Sequence, residues 1–432
     1  MIIPSIDPEV RRIADRIIQS GKKAFLVGGA VRDAFLRKPV MDYDIATDAT
    51  PEECMSLFPF AIPTGIKHGT ITIVPRSRRY KVEITTLRKE AAYSDGRHPD
   101  SVTFVDDITQ DLSRRDFTIN AMAIDLMCNA FIDPFDGEKD LKNKIIRAVG
   151  NPDERFDEDA LRMMRAIRFS SELNFEIEKK TLEAIKNNAK NLQYIAEERI
   201  KDELQKIILS DRPSEGIDLL HKTGLLNFII PELEKGYGVK QNRHHIYTIY
   251  KHNLLSLKFC PSKKLEVRLA ALLHDIAKPQ TKRGEGLDAT FYNHDHVGKR
   301  VSEKILKRLR FSNDIIDKVI LLIDNHMFYY NPDEVGESSV RRLIKKVGLE
   351  NMKDLIDLRV SDRLGSGVPK AKPYKLRHLE YIIDKVSQDA VSVKMLKING
   401  NDLMKVLKIK PGPKIGTILD VLLSEVIEDA GK

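Results

Sequence analysis

Residues 24–33 read AFLVGGAVRD, and this stretch decides the fold of the N-terminal part of the chain. Its apolar start predicts a buried strand, and the glycine pair that follows predicts a turn into a short helix near residues 30–37. Because glycine has no Cβ, the backbone N–H groups of Gly28 and Gly29 can approach an anion closely. The stretch therefore predicts a cradle for a phosphate group.

A pair of carboxylates follows in the sequence DYD at residues 42–44. Asp42 and Asp44 lie one residue apart on an extended segment, so their side chains point to the same face. Paired carboxylates suit Mg²⁺, a hard cation that takes oxygen ligands and shares them with substrate phosphates. A phosphate cradle beside two such carboxylates predicts nucleotidyl transfer with two metal ions. The alternative is an ordinary glycine turn beside an exposed acidic loop.

The composition bounds the possible classes of protein. A chain of 432 residues is expected to form two to four domains. Its 72 Lys and Arg against 64 Asp and Glu favour a polyanionic partner, whereas its 6% aromatic residues argue against base stacking as the main mode of RNA contact. The widely spaced Cys54, Cys128 and Cys260 predict reduced thiols in a cytoplasmic protein. No apolar run approaches the roughly eighteen residues that a membrane span needs, so no membrane partner is expected.

The periodicity changes from strand-like to helical along the chain. Alternating apolar residues predict strands at 70–74 and 80–85, so the fold is expected to be α+β with a small mixed or antiparallel sheet in its first third. From about residue 155 the pattern is helical almost throughout. We therefore expect four domains: a head at 1–150, an all-α neck at 151–235, a helical body at 240–370 and a helical tail at 371–432.

Further motifs follow the two aspartates in a fixed order. They are Glu83 on the predicted strand 80–85, RRDFTINAM at 114–122, DPFDG at 133–137, EDALRMMRAIRF at 158–169 and EER at 197–199. This set resembles the class II tRNA nucleotidyltransferases, which comprise the bacterial-type CCA-adding enzymes and their poly(A) polymerase relatives. The resemblance covers roughly residues 20–230. It implies a catalytic nucleotidyltransferase head and a neck that selects the nucleotide and binds RNA.

The resemblance also implies roles for single residues. Asp42 and Asp44 would hold Mg²⁺ and Glu83 would assist them in catalysis. The implied nucleotide-binding residues are Gly28, Gly29, Arg32, Arg115, Asp116, Asn120, Glu158, Asp159, Arg162, Arg165 and Arg168. The implied partners are tRNA, CTP and ATP.

The chemistry of the arginine-rich motif agrees with these roles. Asp159 and Arg162 are three residues apart and are expected to share a helix face. A carboxylate accepts from an exocyclic amine and a guanidinium donates to a ring nitrogen, a pattern that cytosine and adenine offer and uracil and guanine do not. Such a pair would select C and A without a template. Arg165 and Arg168 would extend the same face, a spacing that suits a triphosphate.

Histidine and aspartate recur in the second half of the chain. His274 and Asp275 close an apolar helix, and seven of the eleven histidines lie between residues 244 and 326. The set resembles the HD superfamily of metal-dependent phosphohydrolases. In that family His252, His274, Asp275 and Asp362 would be the primary metal ligands, and His294, His296 and His326 would be available for a second metal. Imidazole ligands favour Ni²⁺, Co²⁺, Mn²⁺ or Zn²⁺ over Mg²⁺.

The favoured function is template-independent addition of C, C and A to tRNA from CTP and ATP, with release of pyrophosphate and an accessory phosphohydrolase activity in the HD part. The loop 88–100 is polar and of full length, whereas a shortened loop in the family marks enzymes that add only CC. The alternatives are an enzyme that adds only A, a poly(A) polymerase, and a non-catalytic RNA-binding protein. A further alternative is an RNA-end phosphohydrolase centred on the HD part, with the head as an RNA recruiter.

Overall fold

The computed structural model describes residues 6–65, 69–75, 77, 79–90, 102–242, 246–367 and 371–430. Most of the loop 88–100 lies outside these residues. The chain forms two compact units, Met1–Ile229 and Ile230–Lys432. The finer division of the chain into four domains stays a prediction.

The first unit contains both strands and helices. Its strands are β1 (Ala24–Val27), β2 (Asp42–Thr47), β3 (Ile62–Gly65), β4 (Thr70–Ile73), β5 (Lys81–Thr86), β6 (Arg88–Glu90), β7 (Val102–Phe104), β8 (Ala123–Asp125), β9 (Phe131–Ile132), β10 (Ile145–Ile146) and β11 (Glu176–Ile177). Its helices are α1 (Pro8–Gln19), α2 (Gly29–Phe35), α3 (Pro51–Leu57), α4 (Ile108–Ser113), α5 (Gly137–Asn143), α6 (Pro152–Glu158), α7 (Leu161–Leu173), α8 (Lys179–Asn188), α9 (Glu197–Leu209), α10 (Pro213–Lys222) and α11 (Leu226–Ile229).

The main sheet has the strand order β3-β4-β5-β2-β1-β8-β9 among the described residues. Strand β2 pairs antiparallel with β1 and parallel with β5, so the sheet is mixed, as predicted. All of β1 is buried, and β2 becomes buried from Ile45 onward. The apolar end of β2 therefore anchors the strand in the core, while its polar beginning is left at the edge of the core, where side chains can reach a ligand.

Helices α7, α9 and α10 pack against one another, and α7 also contacts the short strands β10 and β11. The apolar side chains Met163, Met164 and Ile167 of α7 are fully buried. Met163 and Met164 lie four and three residues before Ile167, which places all three on one side of the helix, and the charged side chains of α7 occupy other positions. This amphipathic pattern fixes the rotation of α7 and thereby the direction in which its arginines project.

The second unit is helical. Its helices are α12 (Pro231–Glu234), α13 (Ile249–Lys258), α14 (Leu265–Leu273), α15 (Lys278–Thr281), α16 (His294–Arg308), α17 (Asn313–Asn325), α18 (Glu337–Val347), α19 (Leu349–Gly365), α20 (Tyr374–Val386), α21 (Gly400–Leu407) and α22 (Pro413–Glu428). Helix α14 is apolar on nearly all sides and packs against α13, α17 and α19, as expected of a central helix. In the part of the chain that is described, no helix is long and apolar enough to cross a membrane.

Candidate functional site

Two neighbouring strands carry the three predicted catalytic carboxylates. The parallel register of β2 and β5 sets Asp44 opposite Glu83, and Asp42 lies two residues before Asp44 on the same strand. Burial raises the pKa of Asp44, and Arg115 opposes this effect while Asp42 adds to it. Burial also raises the pKa of Glu83, and the charge of Asp44 adds to it. Crowded carboxylates of this kind are stabilised by a bound cation, so the donor set fits a divalent metal.

Gly28 lies beside these carboxylates in a conformation that requires glycine. Its φ is +70°, in the left-handed region. A Cβ at this position would lie 2.7 Å from a guanidinium nitrogen of Arg115 and 3.1 Å from Oδ2 of Asp44. The backbone of Gly28 thus lies directly against the Asp44 carboxylate and the Arg115 guanidinium, with no room for a side chain.

A cavity of about 650 Å³ brings the sequence-predicted residues together. It is lined by the three carboxylates and by every predicted nucleotide-binding residue except Glu158, which forms an ion pair with Arg162 at 2.6 Å. Sequence reasoning did not assign several further lining residues, namely Thr70, Thr85, Arg88, Arg114, Glu172 and Arg199. Arg114 and Arg199 lie within the motifs RRDFTINAM and EER described above, so the sequence does point to these two residues.

The prediction that Asp159 and Arg162 share a helix face is wrong. Helix α6 ends at Glu158, Asp159 is extended with φ −151°, and α7 begins only at Leu161. The Asp159 carboxylate accepts a hydrogen bond from the backbone N–H of Leu161 at 3.1 Å, so it binds the backbone just before α7 and does not lie on a helix face. Asp159 and Arg162 nevertheless both line the cavity.

Each of these two side chains is held by a partner other than the one predicted. The guanidinium of Arg199 binds both oxygens of Asp159, at 2.7 and 3.3 Å. Arg162 donates to Glu158 and also to the backbone carbonyl of Arg114 at 3.1 Å. Two-point contacts of this kind fix the plane of a carboxylate or guanidinium. The cavity therefore presents one oriented acceptor and one oriented donor.

The remaining arginines of α7 are also held in place. Arg165 binds the Asp116 carboxylate at 2.6 Å; burial would raise the pKa of Asp116, but Arg165 outweighs it and the pKa falls to about 2. The ring of Phe169 lies 5.0, 5.6 and 4.2 Å from the guanidinium carbons of Arg32, Arg165 and Arg168. A guanidinium has five N–H donors and one carboxylate uses at most two, so each arginine keeps donors for an anion.

A second cluster of candidate ligands lies in the helical unit. His252 of α13 approaches His274 at 3.0 Å, Asp275 at 3.1 Å and Asp362 of α19 at 3.4 Å. The predicted primary ligands are thus within contact of one another. His294 joins them at 3.3 Å from Asp275.

The backbone fixes the orientation of three of these imidazoles. Their Nδ1 atoms lie against carbonyl oxygens, in the pairs His274–Ala271 (3.0 Å), His294–Phe291 (2.7 Å) and His326–Ile323 (2.6 Å). Because a carbonyl can only accept, Nδ1 carries the proton and the neutral ring turns its Nε2 lone pair the other way. The three Nε2 atoms lie 3.3–3.9 Å from Asp275. Imidazoles that ligate metals are oriented in this way, so the donor set fits a transition metal.

Two pKa values reflect the crowding in the cluster. Burial lowers the pKa of His326 to about 3, and the neighbouring His274 adds to the effect. Burial also disfavours protonated His252, but hydrogen bonds to Asp275 and Asp362 outweigh it and raise its pKa to about 9. The two pKa values differ in direction because His252 faces two carboxylates whereas His326 lies next to another imidazole.

His296 does not join this cluster, so the prediction that it serves a second metal is wrong. Its Nδ1 contacts Asp324 at 2.6 Å, and its side chain is 53% exposed. His294 and His296 are two residues apart at the start of α16, and residues two apart on a helix point to different sides. His294 faces the cluster and His296 faces outward.

Comparisons with known proteins identify the family of the chain. Family models match for the poly A polymerase head domain at residues 24–147, a probable RNA and SrmB-binding site of polymerase A at 174–236, and a putative tRNA nucleotidyltransferase domain 2 at 288–430. The CCA-adding enzyme of Ligilactobacillus salivarius is 36% identical over 99% of this chain and 94% of its own length. The chain belongs to the family of CCA-adding enzymes.

Other similar proteins are also CCA-adding enzymes. The CCA-adding enzyme of Enterococcus faecalis is 35% identical over 99% of this chain and 93% of its own. The crystal structure of the Bacillus stearothermophilus CCA-adding enzyme in complex with CTP matches with a TM-score of 0.72 and 28% identity, covering 98% of this chain and 94% of that one. The predicted α+β fold and the resemblance to tRNA nucleotidyltransferases are confirmed. Nucleotidyltransferases of this family use divalent metals. The neighbouring carboxylates of β2 and β5 are ligands that such metals take.

Proposed function

We propose that the chain adds C, C and A in turn to the 3′ end of tRNA, taking the nucleotides from CTP and ATP and releasing pyrophosphate. The observation that carries this proposal is the single cavity lined by Asp42, Asp44 and Glu83 together with oriented arginines. A metal-bound nucleoside triphosphate needs carboxylates to bind its metal ions and guanidinium groups to bind its phosphates, and this cavity contains both. The three cysteines are free, which fits a cytoplasmic location beside these substrates.

Different residues of this cavity would bind the triphosphate and the metal ions. Arg32, Arg115 and the backbone at Gly28 would hold the triphosphate, and Asp42 and Asp44 would hold Mg²⁺ with Glu83 beside them. The bound Mg²⁺ would supply activation of the attacking 3′ hydroxyl and neutralisation of the leaving pyrophosphate. The protein itself contributes orientation, because its arginines already lie on fixed carboxylate and ring partners.

Base choice would rest on Asp159 and Arg162. The Asp159 oxygens can accept from the amine of cytosine or adenine, and the Arg162 guanidinium can donate to the adjacent ring nitrogen. Arg199 and Glu158 hold the two groups at fixed angles. Uracil and guanine place a carbonyl where the amine is needed, so they would face a carboxylate without a donor.

Replacing Asp159 with alanine should raise incorporation of UTP or GTP relative to CTP. A polar contact of this kind is worth about 1–3 kcal/mol, so discrimination should fall roughly ten- to a hundredfold. Single-nucleotide incorporation rates for the four triphosphates measure this ratio. Asp157→Ala is the matched control, because Asp157 is an exposed acidic residue of α6 outside the cavity. Unchanged selectivity in Asp159→Ala would place base recognition elsewhere.

The proposed reaction separates cleanly from its alternatives when CTP and ATP are supplied singly and together. On tRNA that ends at the discriminator base, CTP alone should add two residues, and ATP should complete the end only after them. An enzyme that adds only A would extend tRNA ending in CC and leave the shorter tRNA unchanged. A poly(A) polymerase would add repeated A from ATP alone, and this outcome would overturn the proposal.

We propose a second activity for the cluster in the helical unit, a metal-dependent phosphohydrolase that acts on RNA phosphate ends such as a 2′,3′-cyclic phosphate. The observation in its favour is the set of three imidazoles that turn their Nε2 lone pairs toward Asp275. Ni²⁺, Co²⁺, Mn²⁺ or Zn²⁺ bound there would supply an activated water. In the reaction the water oxygen bonds to phosphorus, one phosphorus–oxygen bond to the ribose breaks, and the freed ribose oxygen takes the proton.

A further inference from the structure

Two cavities of the helical unit share a wall. The larger, of about 760 Å³, contains the side chains of Asp275, His294, His326 and Asp362, and the smaller, of about 210 Å³, lies beside it. Arg359 and Arg363 line both cavities, and they are four residues apart on α19, so they lie on one face of it. The candidate ligands His252, His274, Asp275, His294, His326 and Asp362, which we call the metal cluster, therefore lie beside a second, adjoining site.

Arg359 contacts residues of both cavities. One of its guanidinium nitrogens lies 3.4 Å from Asp362 and 3.3 Å from the backbone carbonyl of His326. Its guanidinium carbon lies 5.5 Å from the centre of the Phe328 ring in the smaller cavity. A single cation thus bridges the metal cluster and an aromatic surface.

Aromatic side chains are concentrated around the smaller cavity, although aromatic residues make up only 6% of the chain. They form what we call the aromatic platform, which comprises Phe328, Tyr329, Tyr330, Tyr374, His378 and Tyr381. Tyr330 stacks on His378 with ring centres 6.1 Å apart, and Tyr374 and Tyr381 pack against the same imidazole at 5.7 and 6.2 Å. Tyr329, Tyr374 and Tyr381 are 68%, 63% and 62% exposed. These rings are held by neighbours but keep open faces.

Exposed rings beside fixed guanidinium groups suit one class of ligand in particular. Bases of single-stranded RNA stack on aromatic faces, and their phosphates pair with Arg and Lys. Lys375 and the two arginines of α19 supply the cations at this site. A duplex does not offer free base faces, and an acidic peptide would not need the rings.

We propose that the aromatic platform binds the last bases of a single-stranded RNA and directs its terminal phosphate past Arg359 to the metal cluster. This inference rests on the proposed phosphohydrolase and names its substrate class, a single-stranded RNA end rather than a free nucleotide. The larger cavity receives the phosphate and the smaller cavity receives a neighbouring base. The order follows from Arg359, which lies between the two.

The absence of tryptophan from the sequence allows a direct binding test. Tyr329→Trp places a single indole on the aromatic platform, and its emission should be quenched with saturation by a short single-stranded oligoribonucleotide. The same sequence in a duplex should leave the emission unchanged. Phe259→Trp is the control, because Phe259 is a partly exposed ring of the same unit that lines neither cavity. No quenching at position 329, or equal quenching by duplex and single strand, overturns the platform.

A second measurement separates the platform from the hydrolase itself. The double variant Tyr329→Ala and Tyr374→Ala should raise KM for a single-stranded RNA with a 2′,3′-cyclic phosphate end by about tenfold per ring removed, with kcat unchanged. Its hydrolysis of glycerol 2-phosphate, which has no ring that could stack on the platform, should equal that of the wild type. An unchanged KM for RNA overturns the platform and leaves the hydrolase standing. If the wild type hydrolyses neither substrate, the hydrolase fails, and the quenching experiment still decides whether RNA binds the platform.

Discussion

Replacing Asp44 with asparagine is expected to lower the rate of CCA addition by about 10³-fold or more. Asp44 lies opposite Glu83 at the cavity, and metal-assisted charge stabilisation is worth several kcal/mol, each 1.4 kcal/mol being about tenfold in rate. Asparagine keeps the shape of the side chain and removes its charge. Because RNA affinity comes from dispersed Lys and Arg, tRNA binding should stay within a few-fold of the wild type.

The same substitution makes a prediction about stability that separates a catalytic role from a structural one. Burial raises the pKa of Asp44, so the ionised carboxylate is less favourable in the folded chain than in the unfolded chain. Removing that charge should leave the thermal midpoint unchanged or slightly higher. Asp48→Asn is the matched control, because Asp48 follows β2 directly and accepts a backbone hydrogen bond outside the cavity. Near-normal turnover in Asp44→Asn would contradict the two-metal assignment.

The candidate catalytic carboxylates were predictable because their signals are local. The alternation DYD fixes one face of β2, and the glycine pair fixes the turn before α2. The pairing of β2 with β5 was not predictable in this way, since it joins strands about forty residues apart through a parallel register. Strands β8 and β9 were missed because they have only three and two residues, too few for a period to show.

The errors in the site have the same physical origin. The spacing of Asp159 and Arg162 predicted a shared face, but a helix break falls between them and a long-range partner, Arg199, holds Asp159. The HD resemblance implied His294 and His296 together as ligands for a second metal, although residues two apart on a helix point to different sides. The aromatic platform was not predictable from the composition, because its rings come from two segments that are distant in sequence and meet only in the fold.

The second large effect is expected at the metal cluster of the helical unit. The double variant His274→Ala and Asp275→Ala should lose its bound transition metal, as measured by elemental analysis, and with it any metal-dependent phosphohydrolase activity. Asp275 is buried and lies 3.1 Å from His252 and 3.3 Å from His294, so its removal takes a carboxylate from the centre of the cluster. CCA addition should remain nearly intact, because the nucleotide cavity lies wholly in the other compact unit.

Two further variants keep this test independent of folding. Asp275→Ala leaves the buried Lys278 ammonium without the carboxylate that it contacts at 2.6 Å, and an uncompensated buried charge destabilises a protein by several kcal/mol. Asp362→Asn preserves the shape of a ligand and should lose metal without that penalty. His296→Ala should keep both metal and hydrolysis, because His296 lies outside the cluster. If the wild type binds none of Ni²⁺, Co²⁺, Mn²⁺ and Zn²⁺ and hydrolyses no phosphoester with them, the cluster is structural, and its imidazoles serve only to hold α13, α14 and α19 together.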